Sequence, residues 1–187
     1  MSRKPKLIEM KKRFFALTIL TLLFLSVNKI YAQENCKYNV DKKDPFTEKP
    51  IHAIITPIKV SIFPNFNWQL FLYKTGDDYH IETSLAFSGA LNDFLEKGDS
   101  IMFKLEDGKI ITCYARERMT PKPIGTPDRP LTAYQNVFYP ITKDEFSLFT
   151  TSLVTFAQMN IGTRAIQEKV NDKNAKKILN AALCVMK

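Results

Sequence analysis

The run Asp77-Asp78-Tyr79-His80-Ile81-Glu82 gathers three carboxylates and an imidazole into one short segment. On an extended strand, residues two apart share a side, so His80 and Glu82 project together with Asp78 behind them. Such a His-x-Glu pair could supply two metal ligands or a general acid and base. The only other histidine is His52. Two ligands fall short of a zinc set, so the sequence points to no metal site and no cofactor. A nucleophile is also missing. Ser88-Gly89 does not lie within a Gly-x-Ser-x-Gly elbow. There is no glycine-rich phosphate loop and no His-Glu-x-x-His. The reading therefore leans away from an enzyme. A hydrolase using Asp77, Asp78, His80 and Glu82 stands as the alternative.

Binding candidates lie elsewhere. Residues 117–133 carry Pro121, Pro123, Pro127 and Pro130 and read as one long loop, a feature that often binds something in a compact domain. Arg116, Arg118, Arg129 and Tyr134 on and beside it could contact an anionic or carbohydrate partner. Trp68, with Phe63 and Phe66, could form an aromatic platform for sugar. Cys113 shares an alternating face with Ile111 and Ala115, which predicts a buried, inert thiol. Cys36 and Cys184 lie near opposite ends of the segment beyond residue 32. Domain termini are often close in space, so these two are the candidates for a disulfide.

The elements that must position these residues are mostly strands. Ile51 to Phe63 is β-rich but interrupted by Pro57, and Pro64 to Asn67 reads as a turn. Trp68 to Lys74 and Tyr79 to Phe87 predict an antiparallel hairpin, the second strand alternating cleanly between faces. Residues 89–97 form a short helical or looping link. Ser100 to Leu105 and Lys109 to Arg116 predict a second hairpin across Glu106-Asp107-Gly108, whose glycine accepts a positive φ. Tyr134 to Tyr139 reads as a strand. Thr142 and Glu145 have capping-box spacing, which predicts a short helix ending near Phe149. Leu153 to Asn160 reads as a strand, and 163–170 fits either strand or helix. Ala175, Ile178, Leu179, Ala182, Leu183 and Met186 predict a closing helix capped by Asn171 or Asp172. Strands joined by short turns favour antiparallel pairing. The fold class expected is α+β, a mainly antiparallel sandwich or roll with a short internal helix and a C-terminal helix.

Ahead of this lies a leader. Lys11-Lys12-Arg13, the apolar Phe14 to Val27 and a small residue, Ala32, read as an export signal over residues 1–32 cleaved before Gln33, with Met10 a possible true start. The apolar stretch is short for a span of about 20 residues, so no stable membrane span is expected after cleavage. Residues 33–50 read as an N-terminal arm and 51–187 as a single β-rich domain. The formal charge of +8 belongs mostly to the leader, which holds seven of the 27 basic residues and one of the 19 acidic ones. The remainder, near neutral, has no basic face for nucleic acid. The group Lys173, Lys176 and Lys177 reads as the wet side of the last helix. Export permits disulfides.

The segments Cys36-Lys37-Tyr38 and Asp44-Pro45-Phe46-Thr47-Glu48-Lys49 resemble the N-terminal motif, Cys-x-Tyr then Asp-x-Phe-Thr-x-Lys, of small secreted proteins of Bacteroidota. Lys97-Gly98-Asp99 through Ile111 is similar to their central hairpin, and Asn174 to Ile178 with Cys184 to their closing helix. The resemblance implies export to the periplasm or beyond and an antiparallel β-rich domain. It transfers no catalytic residue. The function expected is thus a non-enzymatic binding or structural domain of the cell envelope, with another envelope protein or a glycan as partner.

Overall fold

The computed structural model describes residues 36–61, 66–89, 93–126 and 128–187. The leader, its cleavage point and Phe63 lie outside the described residues, as do parts of the 64–67 turn and the 89–97 link. The compact unit runs from Cys36 to Lys187.

Among the described residues, ten strands and two helices follow in order: β1 (Val40–Lys43), β2 (Pro50–Ser61), β3 (Phe66–Thr75), β4 (Asp78–Ser88), β5 (Ser100–Leu105), β6 (Ile110–Tyr114), β7 (Lys122–Thr126), β8 (Arg129–Ile141), α1 (Lys143–Leu148), β9 (Val154–Ile161), β10 (Arg164–Lys169) and α2 (Asp172–Val185). They build two antiparallel sheets, ordered β1-β2-β3-β4-β8-β7 and β10-β9-β5-β6. The alternating residues Trp68, Leu70 and Leu72 of β3 and Ile81 and Leu85 of β4 are buried in one core with Ile101, Phe103 and Leu105 of β5 and Ala157, Met159 and Ile161 of β9. The period-two pattern thus gives each sheet an inner face toward the shared core and an outer face away from it. The fold is α+β and mainly antiparallel, as the pattern predicts.

Both expected hairpins form. The β3–β4 turn passes through Gly76 at φ +60°, where an added Cβ would meet Lys49 Cδ at 3.0 Å. The β5–β6 turn uses Gly108 at φ +88°. Residues 164–169 resolve the open choice as a strand, paired with β9 across Gly162. The capping box is present, with Thr142 Oγ1 accepting from the Glu145 backbone and Glu145 accepting from the Thr142 N–H. The closing helix begins at the Asn171 cap and lays Ala175, Ile178, Ala182 and Val185 into the core. Its Asn174 side chain donates to the Ile58 carbonyl at 3.2 Å, which ties the helix to β2. Lys173, Lys176 and Lys177 face outward.

The proline-marked segments depart from the expectation. Residues 117–133 are no long loop, because Lys122–Thr126 pairs with Arg129–Ala133 as a tight hairpin. β7 is a sheet edge, where a proline forfeits no ladder bond on its open side. Likewise β2 runs through Pro57 with only a register shift between Pro57 and Lys59. The N-terminal arm also joins the sheet. Val40 to Lys43 pairs with Pro50 to Ala53, and Asp44 Oδ1 accepts from the Phe46 and Thr47 N–H groups in the turn between.

Cys36 and Cys184 form a disulfide with Cα atoms 5.6 Å apart. Beside it the Tyr38 hydroxyl donates to the Cys184 carbonyl at 2.9 Å. Cys113 is buried and free. Burial pushes its thiol up to about 12, with Glu145 adding to the rise, so it is held protonated and unreactive. Among the described residues, no helix is long and apolar enough to cross a membrane.

Candidate functional site

The β3–β4 and β4–β8 registers set Tyr73 beside His80, Phe71 beside Glu82, and Glu82 beside Phe138 on the outer face of the six-stranded sheet. His80 is packed between two rings. Tyr73 stacks on it at 4.5 Å between centroids, and Phe138 covers the other side at 4.6 Å. The Arg116 guanidinium lies 5.5 Å from the Phe138 centroid and closes the pile. Only 16% of the His80 side chain is exposed. Burial pushes its pKa down to about 4, so the imidazole is neutral at neutral pH. Burial raises Glu82 above the ordinary carboxylate value. The nearest approach of the two, Nε2 to Oε1, is 3.8 Å, too long for a direct hydrogen bond between them.

The other members of the acidic run do not join them. Asp77 and Asp78 are exposed at the turn, and Asp78 faces Lys49 at 3.7 Å. His52 pairs in register with Lys74, one residue out of phase with the Tyr73–His80 row. Period-two alternation therefore puts His52 on the opposite face of the sheet from His80. There it contacts Asp41 at 3.1 Å and stacks on Tyr38 at 4.7 Å. Among the described residues, no three His, Cys, Asp or Glu side chains gather in a way that could hold a metal.

The aromatic and arginine candidates scatter. Trp68 is 0% exposed, and its indole N–H donates to Thr83 Oγ1 at 2.7 Å. It is a core residue, not a platform, because its position in β3 falls on the inner phase. Phe66 is half-buried with its ring edge-on to Trp68. Tyr134 is also fully buried, and its hydroxyl donates to the Asp93 carbonyl at 2.5 Å. Burial, reinforced by Asp93, pushes its phenol up to about 12. Arg118 is held by its neighbours: its guanidinium sits 3.9 Å from the Phe94 centroid and pairs with Glu96 at 3.2 Å. Arg116 and Arg118 thus contact different parts of the molecule. Arg129 opens β8 at the far end of the β7–β8 turn.

What does converge is a set of uncharged polar side chains. Opposite β4, the β8 register skips between Tyr134 and Val137, so Ser84 faces both Gln135 and Asn136. This is a β-bulge. Asn136 takes a positive φ of 55°, a conformation that asparagine tolerates better than most residues. The bulge turns Gln135 and Asn136 outward together, while Tyr134 and Val137 both stay in the core. The Asn136 N–H donates to Ser84 Oγ at 3.1 Å, and the Ser84 hydroxyl donates back to Asn136 Oδ1 at 3.3 Å. With Asn67, Gln69 and Ile124, these residues line a depression of about 440 Å³. Among the described residues, the Asn67, Gln69 and Gln135 amides make no hydrogen bond. By register, the row Gln69–Ser84 lies one step along the same face from Phe71–Glu82. The amide basin and the His80 stack are therefore neighbours on one surface.

Little in the local sequence marks this basin. Its one local signal is the broken alternation Tyr134-Gln135-Asn136-Val137, two amides between two core residues. Asn67 and Gln69 are ordinary outward positions of β3, and only the register brings them to Ser84.

The fold and this site together define a class: a two-sheet, mainly antiparallel α+β domain with a polar basin on the outer face of its larger sheet. Compared with protein-family models, with curated proteins and with solved structures, the chain matches none.

Proposed function

We propose that this chain is an exported, non-enzymatic binding domain of the cell envelope. It belongs with the small secreted proteins of Bacteroidota that it resembles, and it holds a glycan or another envelope protein on the outer face of its six-stranded sheet. The observation that carries this reading is the amide-lined basin beside the His80 stack. Its volume lies within the range of small-ligand sites, about 300–1,000 Å³. Its described lining offers hydrogen-bond donors and acceptors, and its one hydroxyl outside the core, Ser84, is paired with Asn136. The disulfide between Cys36 and Cys184 supports an oxidising compartment.

The test is to mix the oxidised protein with envelope fractions and measure both retention and turnover. The protein should sediment with the envelope material, and no cleavage product should accumulate over hours. Time-dependent release of soluble fragments, abolished in His80→Ala or Glu82→Gln, would instead establish the hydrolase.

A further inference from the structure

We infer that the basin bounded by Asn67, Gln69, Ser84, Gln135 and Asn136 is a site for an uncharged saccharide. The assignment rests on the binding reading above and names its ligand class.

A primary amide presents a donor and an acceptor in one plane, and a sugar hydroxyl both donates and accepts. A surface of several amides and one hydroxyl therefore matches a row of vicinal hydroxyls. The Asn67, Gln69 and Gln135 amides are not consumed by hydrogen bonds among the described residues, so their capacity faces the basin. None of the described residues lining it carries a charge. A phosphate, sulfate or uronate would call for Arg or Lys there. Ile124 and Ala86 stand among the amides and can cover the C–H face of a pyranose.

Other ligand classes fit less well. A peptide adding to a sheet needs an open strand edge, and this basin lies on a sheet face, mostly over the paired strands β3, β4 and β8, with only Ile124 contributed by the edge strand β7. A protein-docking surface concentrates large apolar and aromatic side chains at its centre, where this one has amides. The geometry is also fixed before any ligand arrives. Asn136 is held by its reciprocal hydrogen bonds with Ser84, and the bulge sets the direction of Gln135. Pre-organisation of this kind lowers the entropic cost of binding.

The experiment is a titration of the isotope-labelled, oxidised full-length protein. One set of probes is uncharged oligosaccharides built from glucose, mannose, galactose, xylose and N-acetylglucosamine. The second set is oligogalacturonate and sulfated oligosaccharides. At least one uncharged oligosaccharide should shift the side-chain NH₂ signals of Gln69, Gln135 and Asn136. The double variant Gln69→Ala/Gln135→Ala should bind it about tenfold more weakly, the loss expected for one or two hydrogen bonds. Its melting temperature should stay close to wild type, because both side chains point outward. Arg118→Ala should bind like wild type. The assignment is overturned if only the charged probes bind or if no uncharged probe binds. It is also overturned if the double variant binds like wild type, or if the shifts map to the opposite outer face around Met102 and Phe156. A protein that sediments with envelope material yet ignores every uncharged saccharide refutes the sugar assignment and leaves the binding reading intact. A protein that does neither fails on both.

Discussion

At the scale of single residues, His80 shows how packing sets the protonation of a side chain. Its sequence neighbours suggest acid–base chemistry, but rings on both sides desolvate it. Its value of about 4 in the folded protein lies below the 6.5 of the free side chain. Between those limits the unfolded chain binds more protons, so stability falls as the pH drops from about 6.5 to about 4 and is fully present above that window. Glu82 works in the opposite sense. Its raised pKa lets the folded state take up a proton first, which offsets part of the loss. Replacing His80 with Phe should preserve the stack between Tyr73 and Phe138 and remove the titration. Urea unfolding at pH 7 and pH 4.5 should show wild type losing on the order of 1–2 kcal/mol more than His80→Phe, less than the full shift because the ring still meets some solvent. Equal losses would show that His80 is not held neutral by the stack.

At the scale of elements, one bulge accounts for the basin, and its strain sits at Asn136. Asn136→Ala must keep a left-handed backbone without the amide and should cost about 1 kcal/mol or more. Asn136→Gly accepts that backbone and should cost less than Asn136→Ala, while removing the same side chain. Denaturant midpoints of the two variants decide the matter, and an alanine variant as stable as the glycine one would refute the strained bulge. The same strand shows where legibility ends. Clean alternation made β3 and β4 readable, and Asp107-Gly108 fixed the β5–β6 hairpin. Pro123 and Pro130 disguised β7 and the start of β8, because proline marks a loop unless the strand is known to be an edge. Edge status is a property of the finished sheet. Trp68 and Tyr134 lie in the core for a related reason: residue type suggests a contact surface, whereas strand phase decides which face a side chain takes. The basin itself depends on cross-strand register between β3, β4 and β8, which no local pattern carries.

At the scale of the whole molecule, the Cys36–Cys184 bridge ties the first described residues to the last helix. Its sequence separation of 148 residues makes it a constraint on the unfolded chain worth about 3–5 kcal/mol in the loop-entropy account. Reduction, or the Cys36→Ser/Cys184→Ser variant, should lower the melting temperature by about 10 °C for a domain of this size. The β signal in far-UV circular dichroism should persist below the new midpoint, because the two-sheet core does not depend on the bridge. An unchanged midpoint would mean that the bridge constrains little. The pairing was legible from the position of the cysteines, since chain ends tend to meet in a compact domain. The central claim is that the outer face of the six-stranded sheet is the binding surface. Hydrogen–deuterium exchange of the oxidised protein, free and bound to envelope material, tests it most directly. The account predicts added protection in peptides covering 66–71, 82–88 and 133–138. Protection confined to 100–114 and 154–169, on the other sheet, would contradict it.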